Sequence, residues 1–266
     1  MTHLNRMAAL LTVGACAFVG TAQGQSALTA ADFGLSGAQL NSLLQSGNAT
    51  RPAPGIAFGS PVAFGAHWGD AGLGIGGATL PKTASDDYDG SAGLVVGVGD
   101  ADRFVGLETI INVISIRDEF GDDGSVAFKL HTTLPGDAAI AVGIENTLRW
   151  GDARASESSV FVAASKRFQL PAGDRSLPLA ITLGLGDSRF NDPGESGANL
   201  FGAIALIPHE QLSLIADYTG TGLNLGASLA PLRGIPLVIS LGYVNVTERN
   251  RSDAEFAGGL GYRFHF

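Results

Sequence analysis

The sequence predicts an all-β chain, a transmembrane up-and-down antiparallel β-barrel of about 12 strands behind a short N-terminal segment. Three observations predict it. From about residue 69 onward, segments alternate large apolar residues with small or polar ones, and turn clusters separate them. That period belongs to half-buried strands. The second face is Gly, Ala, Ser and Thr with few charges. It is too weakly polar for the exterior of a soluble sandwich and suits a barrel interior whose other face meets lipid. Finally, charged residues are 15% of the 266 and glycines number 38, where a typical soluble domain is about 25% charged.

The N-terminus reads as a secretory signal peptide over residues 1–24. Arg6 precedes the apolar run from Met7 to Gly20, and Thr21-Ala22-Gln23-Gly24 supplies small residues for cleavage. The run is shorter than the roughly 20 residues that a membrane-spanning helix needs. Processing before Cys16 as a lipoprotein is the weaker variant, because the residues after Cys16 are still apolar. Cleavage takes away Arg6 and no acid, so the formal charge moves from −9 to −10. Such a balance excludes nucleic acid as a partner. The single cysteine also leaves, so stability cannot rest on disulfides.

Residues 25–60 are rich in Ala, Gly, Ser, Asn and Pro. Within them Leu40, Leu43 and Leu44 share one helical stripe after a possible Ser36 cap. Arg51-Pro52-Ala53-Pro54-Gly55 breaks any helix. The segment is expected to be a periplasmic tail or a small plug inside the barrel. The barrel itself is assigned to 61–266, with Pro61 to Trp68 as a lead-in to the first strand.

The strands are expected near 69–80, 91–99, 103–116, 124–134, 137–149, 157–169, 177–187, 198–208, 211–219, 222–230, 235–247 and 254–266. In one, Ile140, Val142, Ile144, Leu148 and Trp150 share a face on which Asn146 is the polar intruder. In another, Leu177, Leu179, Ile181, Leu183 and Leu185 oppose Ala180, Thr182, Gly184 and Gly186. A twelve-strand count makes five of six connections long on one rim and four of five short on the other, the pattern of a bacterial barrel. The short rim has one exception, Pro171–Ser176.

The last segment runs Ala254-Glu-Phe-Ala-Gly-Gly-Leu-Gly-Tyr-Arg-Phe-His-Phe266. Phe256, Leu260, Tyr262, Phe264 and Phe266 alternate on one face, and the chain ends on Phe. It resembles the C-terminal strand of bacterial outer membrane β-barrel proteins. The resemblance implies an outer membrane location, contact with outer membrane lipid, and an assembly signal at Tyr262, Phe264 and Phe266 read by the barrel assembly machinery. Trp68-Gly-Asp70, Phe128-Lys-Leu-His131 and Lys166-Arg-Phe-Gln-Leu170 are similar to a group of predicted barrels from which no activity carries over. Aromatics at Phe168, Tyr262, Phe264 and Phe266, and at Trp150, Tyr218 and Phe256, are expected to form girdles at the two rims.

The inward phase collects charge. Glu108, Lys129, His131, Glu145, Arg149, Arg167, Asp217 and Arg263 are the pore-lining candidates, with Glu108 and Lys129 placed to pair across adjacent strands. Inward glycines such as Gly143, Gly184, Gly186 and Gly226 are expected to widen the bore. The function that follows is a narrow passive channel or solute-uptake barrel for small solutes or ions. The alternative is a structural or surface-interaction barrel without transport. An enzyme is not expected. The histidines make no lipid-facing Ser–His pair, and there is no G-x-S-x-G elbow. No cofactor or metal is assigned. The acidic tips at Asp86, Asp87 and Asp89, and at Asp118, Glu119, Asp122 and Asp123, lack a full calcium-loop pattern and read as solvated loops.

Overall fold

In a computed structural model, residues 52–79, 88–114, 120–173, 175–249 and 253–266 are described. The signal peptide, the Leu40 stripe and most of the acidic tips (Asp86, Asp87, Asp118, Glu119) lie outside them. Twelve strands follow in chain order: β1 (Asp70–Thr79), β2 (Tyr88–Gly99), β3 (Gly106–Ile114), β4 (Gly124–Leu134), β5 (Ala138–Trp150) and β6 (Ser159–Ala172), then β7 (Arg175–Gly186), β8 (Asn199–His209), β9 (Leu212–Tyr218), β10 (Leu223–Leu229), β11 (Leu237–Val244) and β12 (Glu255–His265). Each pairs antiparallel with its neighbours in sequence, and β1 pairs with β12 to close the barrel. Closure leaves no unpaired edge, which is the condition for β-structure in lipid.

The barrel has a near rim, where β1 starts and β12 ends, and a far rim opposite. Three near-rim connections, β4–β5, β6–β7 and β8–β9, are tight. Pro135, Gly136 and Asp137 join β4 to β5, with φ of 82° at Gly136 and 58° at Asp137. Ala172 pairs with Arg175, so Pro171 and Ser176 are strand residues. The apparently long connection there is a two-residue hairpin with Gly173 at φ 63°, the left-handed geometry that such turns require. The exception in the connection pattern therefore disappears.

Alternation explains the outer wall. Leu73, Ile75, Val162, Leu183, Leu200, Ile204, Leu225 and Leu241 are all exposed around the barrel. Lys166 also faces outward, with its ammonium 5.3 Å from the centre of the Phe168 ring. Asn146, expected on the outer face, is instead turned by irregularities in the β4–β5 register, and Ser125 Oγ lies 3.3 Å from its Oδ1. Asn146 and Leu148 take φ of 52° and 45° at these irregularities. The phase returns by Leu148, which is exposed. The polar intruder is thus where the strand changes phase.

The largest departure from the sequence expectation lies before β1. Residues 61–68 do not extend the first strand. Together with 54–60 they run through the lumen without regular secondary structure, and every residue from 54 to 64 is buried. Ile56, Phe58, Val62 and Phe64 join Phe161, Phe190 and Phe201 in one apolar cluster inside the barrel. The inward glycines do not widen a bore. A Cβ at Gly143 would meet the Phe161 ring at 2.5 Å, one at Gly184 the Phe201 ring at 2.1 Å, and one at Gly186 the Phe190 ring at 2.3 Å. They are gaps in the wall that admit rings.

Candidate functional site

Residues 55–66 form a strap that the wall holds by its backbone. Near β9 and β10, Gly55 donates its amide to Ser228 Oγ at 2.8 Å, close to the near-rim end of β10. Towards the far rim, Phe58 and Ser60 donate amides to Asp217 Oδ2 at 2.8 and 3.1 Å, and the Ser60 hydroxyl donates to Oδ1 at 2.8 Å. Asn224 donates to the Phe58 carbonyl at 3.2 Å. The Phe58 ring lies in the space left by Gly226 and Gly242. The strap then descends on the other side. Ala63 donates to Ser165 Oγ at 2.9 Å and Ala66 to Glu108 Oε2 at 2.8 Å. The strap thus enters and leaves through the near rim, with its bend beneath the far one.

The expected pair is present within this contact. Glu108 and Lys129 are direct cross-strand partners, with Lys129 Nζ 3.0 Å from Glu108 Oε1. Lys129 also donates to the carbonyls of Val62 at 3.2 Å and Phe64 at 2.9 Å. Neither side chain is more than 2% exposed, so the ammonium and carboxylate are solvated by each other and by strap backbone instead of by water. His131 Nε2 meets the Ala66 carbonyl at 3.1 Å. Its Nδ1 is buried and has no hydrogen-bond partner among the described residues, and the same holds for Asn112 Oδ1.

The other candidates scatter. Glu145 is bonded by Arg189, and Arg189 Nη2 also donates to the Gly59 carbonyl at 3.4 Å. Arg189 belongs to a 3-10 turn, Ser188–Phe190, in the β7–β8 connection. Its neighbour Phe190 is fully buried and stacks on Phe201 at 4.5 Å between ring centres. That turn folds inward and sets Phe190 in the apolar cluster towards the far rim. Arg167 lies over the Phe64 ring at 4.0 Å and reaches Asp137 at 3.5 Å. Arg149 stands at the far rim, bonded to the Ser156 carbonyl. Arg263 is buried on β12. Tyr262, Phe264 and Phe266 are outward and exposed at the near rim.

Sequence reasoning missed Arg189, Ser60, Phe161, Phe190 and Phe201. Phe161 and Phe201 carried a signal: both are large aromatics in the small-residue phase, opposite glycines. Arg189 lies in a connection, where strand periodicity says nothing.

Among solved structures, the chain is similar to LpxR from Salmonella typhimurium, with 11% identity, 72% of this chain and 99% of that one covered, and a TM-score of 0.37. It is also similar to the beta domain of the Bordetella autotransporter BrkA, with 14% identity, 74% and 100% covered, and a TM-score of 0.34. The N-terminal β-barrel domain of Pseudomonas aeruginosa OprF follows, with 10% identity, 74% and 98% covered, and a TM-score of 0.20. No family model matches the chain, and no curated protein matches it. At these scores the likenesses carry no argument about function. The twelve-strand closure stands on the chain's own strand pairing.

Proposed function

We propose that the protein is an outer membrane β-barrel that is closed at rest by its own N-terminal strap, and that it serves as a structural or surface-interaction barrel without an open transport path. The apolar outer wall and the signal-like N-terminus support the location. One observation carries the reading: buried residues 54–64 occupy the lumen and pack on Phe161, Phe190 and Phe201. An eight-strand barrel is filled by its own side chains, whereas sixteen to eighteen strands leave an aqueous channel. Here the intermediate bore is filled by chain.

A second reading, a gated narrow channel, is favoured by the chemistry of the strap's seat. Glu108, Lys129, Glu145, Arg189 and Asp217 line that seat. Withdrawal of the strap would hydrate these charges and leave a wet polar passage. The test is planar-bilayer conductance of the refolded chain beside a variant lacking residues 25–66. The closed barrel predicts no steady conductance from the full chain. A stable open pore in the full chain would remove the proposal. Brief openings of the full chain that become permanent in the deletion would establish the gated reading.

A further inference from the structure

The near rim carries a side-chain cluster that belongs neither to the strap's seat nor to the apolar wall. His67, at the strap's exit, faces Asp100 and Asp102 of the β2–β3 connection, and one donor atom of each lies within 4.8 Å of the others. Backbone contacts fix this approach. Trp68 donates its amide to the Gly99 carbonyl at 2.8 Å, and His67 donates its own to Asp70 Oδ2 at 3.0 Å.

Each carboxylate is oriented through one oxygen. Asp100 Oδ1 accepts the amides of Asp102 at 3.0 Å and Arg103 at 3.2 Å. Asp102 Oδ1 accepts the Thr133 hydroxyl at 2.8 Å. Hydrogen-bonded carboxylates of this kind are how metal ligands are held in orientation. Asp100 Oδ2 meets Arg103 Nε at 3.3 Å, but the Arg103 side chain is 88% exposed. A surface ion pair of this kind is worth little, so a cation can displace it at low cost.

Beside the cluster stands His131, 2% exposed, with its Nδ1 unpartnered among the described residues. Its ring is edge-on to that of His67, 5.8 Å between centres. The two imidazoles thus lie side by side where the strap leaves the lumen, and one of them joins the two carboxylates.

We propose that His67, Asp100 and Asp102 bind a divalent transition-metal ion of the zinc type, which fastens the strap's exit to the β2–β3 connection. Two carboxylates and a neutral imidazole balance a dication. The imidazole selects against calcium and magnesium, which take oxygen ligands alone. Three protein ligands leave the fourth tetrahedral position to water, which the partly exposed setting supplies. The ion ties chain that enters the lumen to chain of the wall, so binding stabilises the closed strap. This inference does not depend on whether the barrel conducts.

The test is titration of Zn²⁺ into the full chain, refolded in detergent without a histidine tag, with thermal unfolding and amide exchange of residues 62–67 measured in parallel. Wild type is expected to bind one ion, to unfold at higher temperature with Zn²⁺, and to exchange more slowly at the strap. In His67→Ala, affinity is expected to fall by at least about tenfold, as loss of metal-site groups commonly does, and the thermal shift is lost. Asp102→Asn, in an exposed turn, repeats the test should His67→Ala not fold. His265→Gln, which alters a near-rim histidine outside the cluster, is expected to bind as wild type does. The proposal is overturned by the absence of saturable binding, by wild-type affinity in the folded His67 or Asp102 variant, or by binding that His265→Gln abolishes.

Discussion

Phe58 donates its amide to Asp217 Oδ2 at 2.8 Å across a separation of 159 residues in sequence. Asp217 is fully buried, and Ser60 adds an amide and a hydroxyl to the same carboxylate. One wall side chain thus satisfies three donors of the strap at its bend. A strap without secondary structure must place its amides somewhere, because buried donors left unpaired are costly.

Replacing Asp217 with Ala is expected to release the bend. Each stranded donor costs about 1–3 kcal/mol, so a local loss of about 3 kcal/mol is expected, and amide protection at Phe58 and Ser60 should fall by roughly 100-fold. Hydrogen exchange resolved by residue measures it. Protection at these two amides equal to wild type, in a folded variant, would show that Asp217 does not anchor the strap.

The lumen's aromatic packing is tested at Gly186, where a Cβ would lie 2.3 Å from the Phe190 ring. Gly186→Ala overpacks this contact and is expected to destabilise by about 1–3 kcal/mol. Pairing it with Phe190→Leu frees the space, so the double variant should be more stable than the sum of the two singles by about 1 kcal/mol or more. Denaturant unfolding of all three variants closes the cycle. Strict additivity would mean that the ring does not fill the glycine's gap.

Strand positions were legible because period-2 alternation is imposed by the wall itself, with lipid on one side and a packed interior on the other. Pairing of Glu108 with Lys129 was legible for the same reason, since both fall in the inward phase at matching depth. A plug was one of two readings of residues 25–60, but the strap's course and anchors were not legible, because residues 54–66 carry no period. Their amides are satisfied by Asp217, Ser165 and Glu108, at sequence distances that no local pattern encodes. Gly143 and Gly184 were misread as empty space because a glycine's lack of a side chain looks the same whether water or a ring fills the place. The rings were the missing half of the signal, at Phe161 and Phe201.

The C-terminal aromatic is expected to matter for assembly more than for the folded barrel. Phe266 is 71% exposed, and its amide bonds the Gly69 carbonyl at 2.9 Å. Deleting it removes one hydrogen bond and no core contact. In cells, the outer membrane fraction of heat-modifiable barrel should fall several-fold, while the variant refolded in detergent keeps wild-type stability to within about 1 kcal/mol. Equal cellular yield would deny Phe266 a role in assembly. Equal loss in both settings would make that role structural.

The filled lumen and an open constriction give opposite results at Lys129. In the structure its side chain is 2% exposed, with the ammonium 3.0 Å from Glu108 and bonded to the Val62 and Phe64 carbonyls. Lys129→Met takes the counter-charge from the Glu108 carboxylate in a dry site, and Glu108→Gln takes it from the ammonium. Removing one partner of a buried pair costs about 3–5 kcal/mol, whereas an apolar or neutral replacement of both is often close to neutral. Each single variant should therefore lose about 3 kcal/mol, and the double Glu108→Gln, Lys129→Met should regain most of it. In a water-filled constriction the same pair would be worth about 0–1 kcal/mol, and the singles would barely differ from wild type. Guanidinium unfolding of the refolded barrel, followed by tryptophan fluorescence, reads both. Single variants within about 1 kcal/mol of wild type would mean that water reaches Glu108 and Lys129 and that the strap does not seal the lumen at their depth.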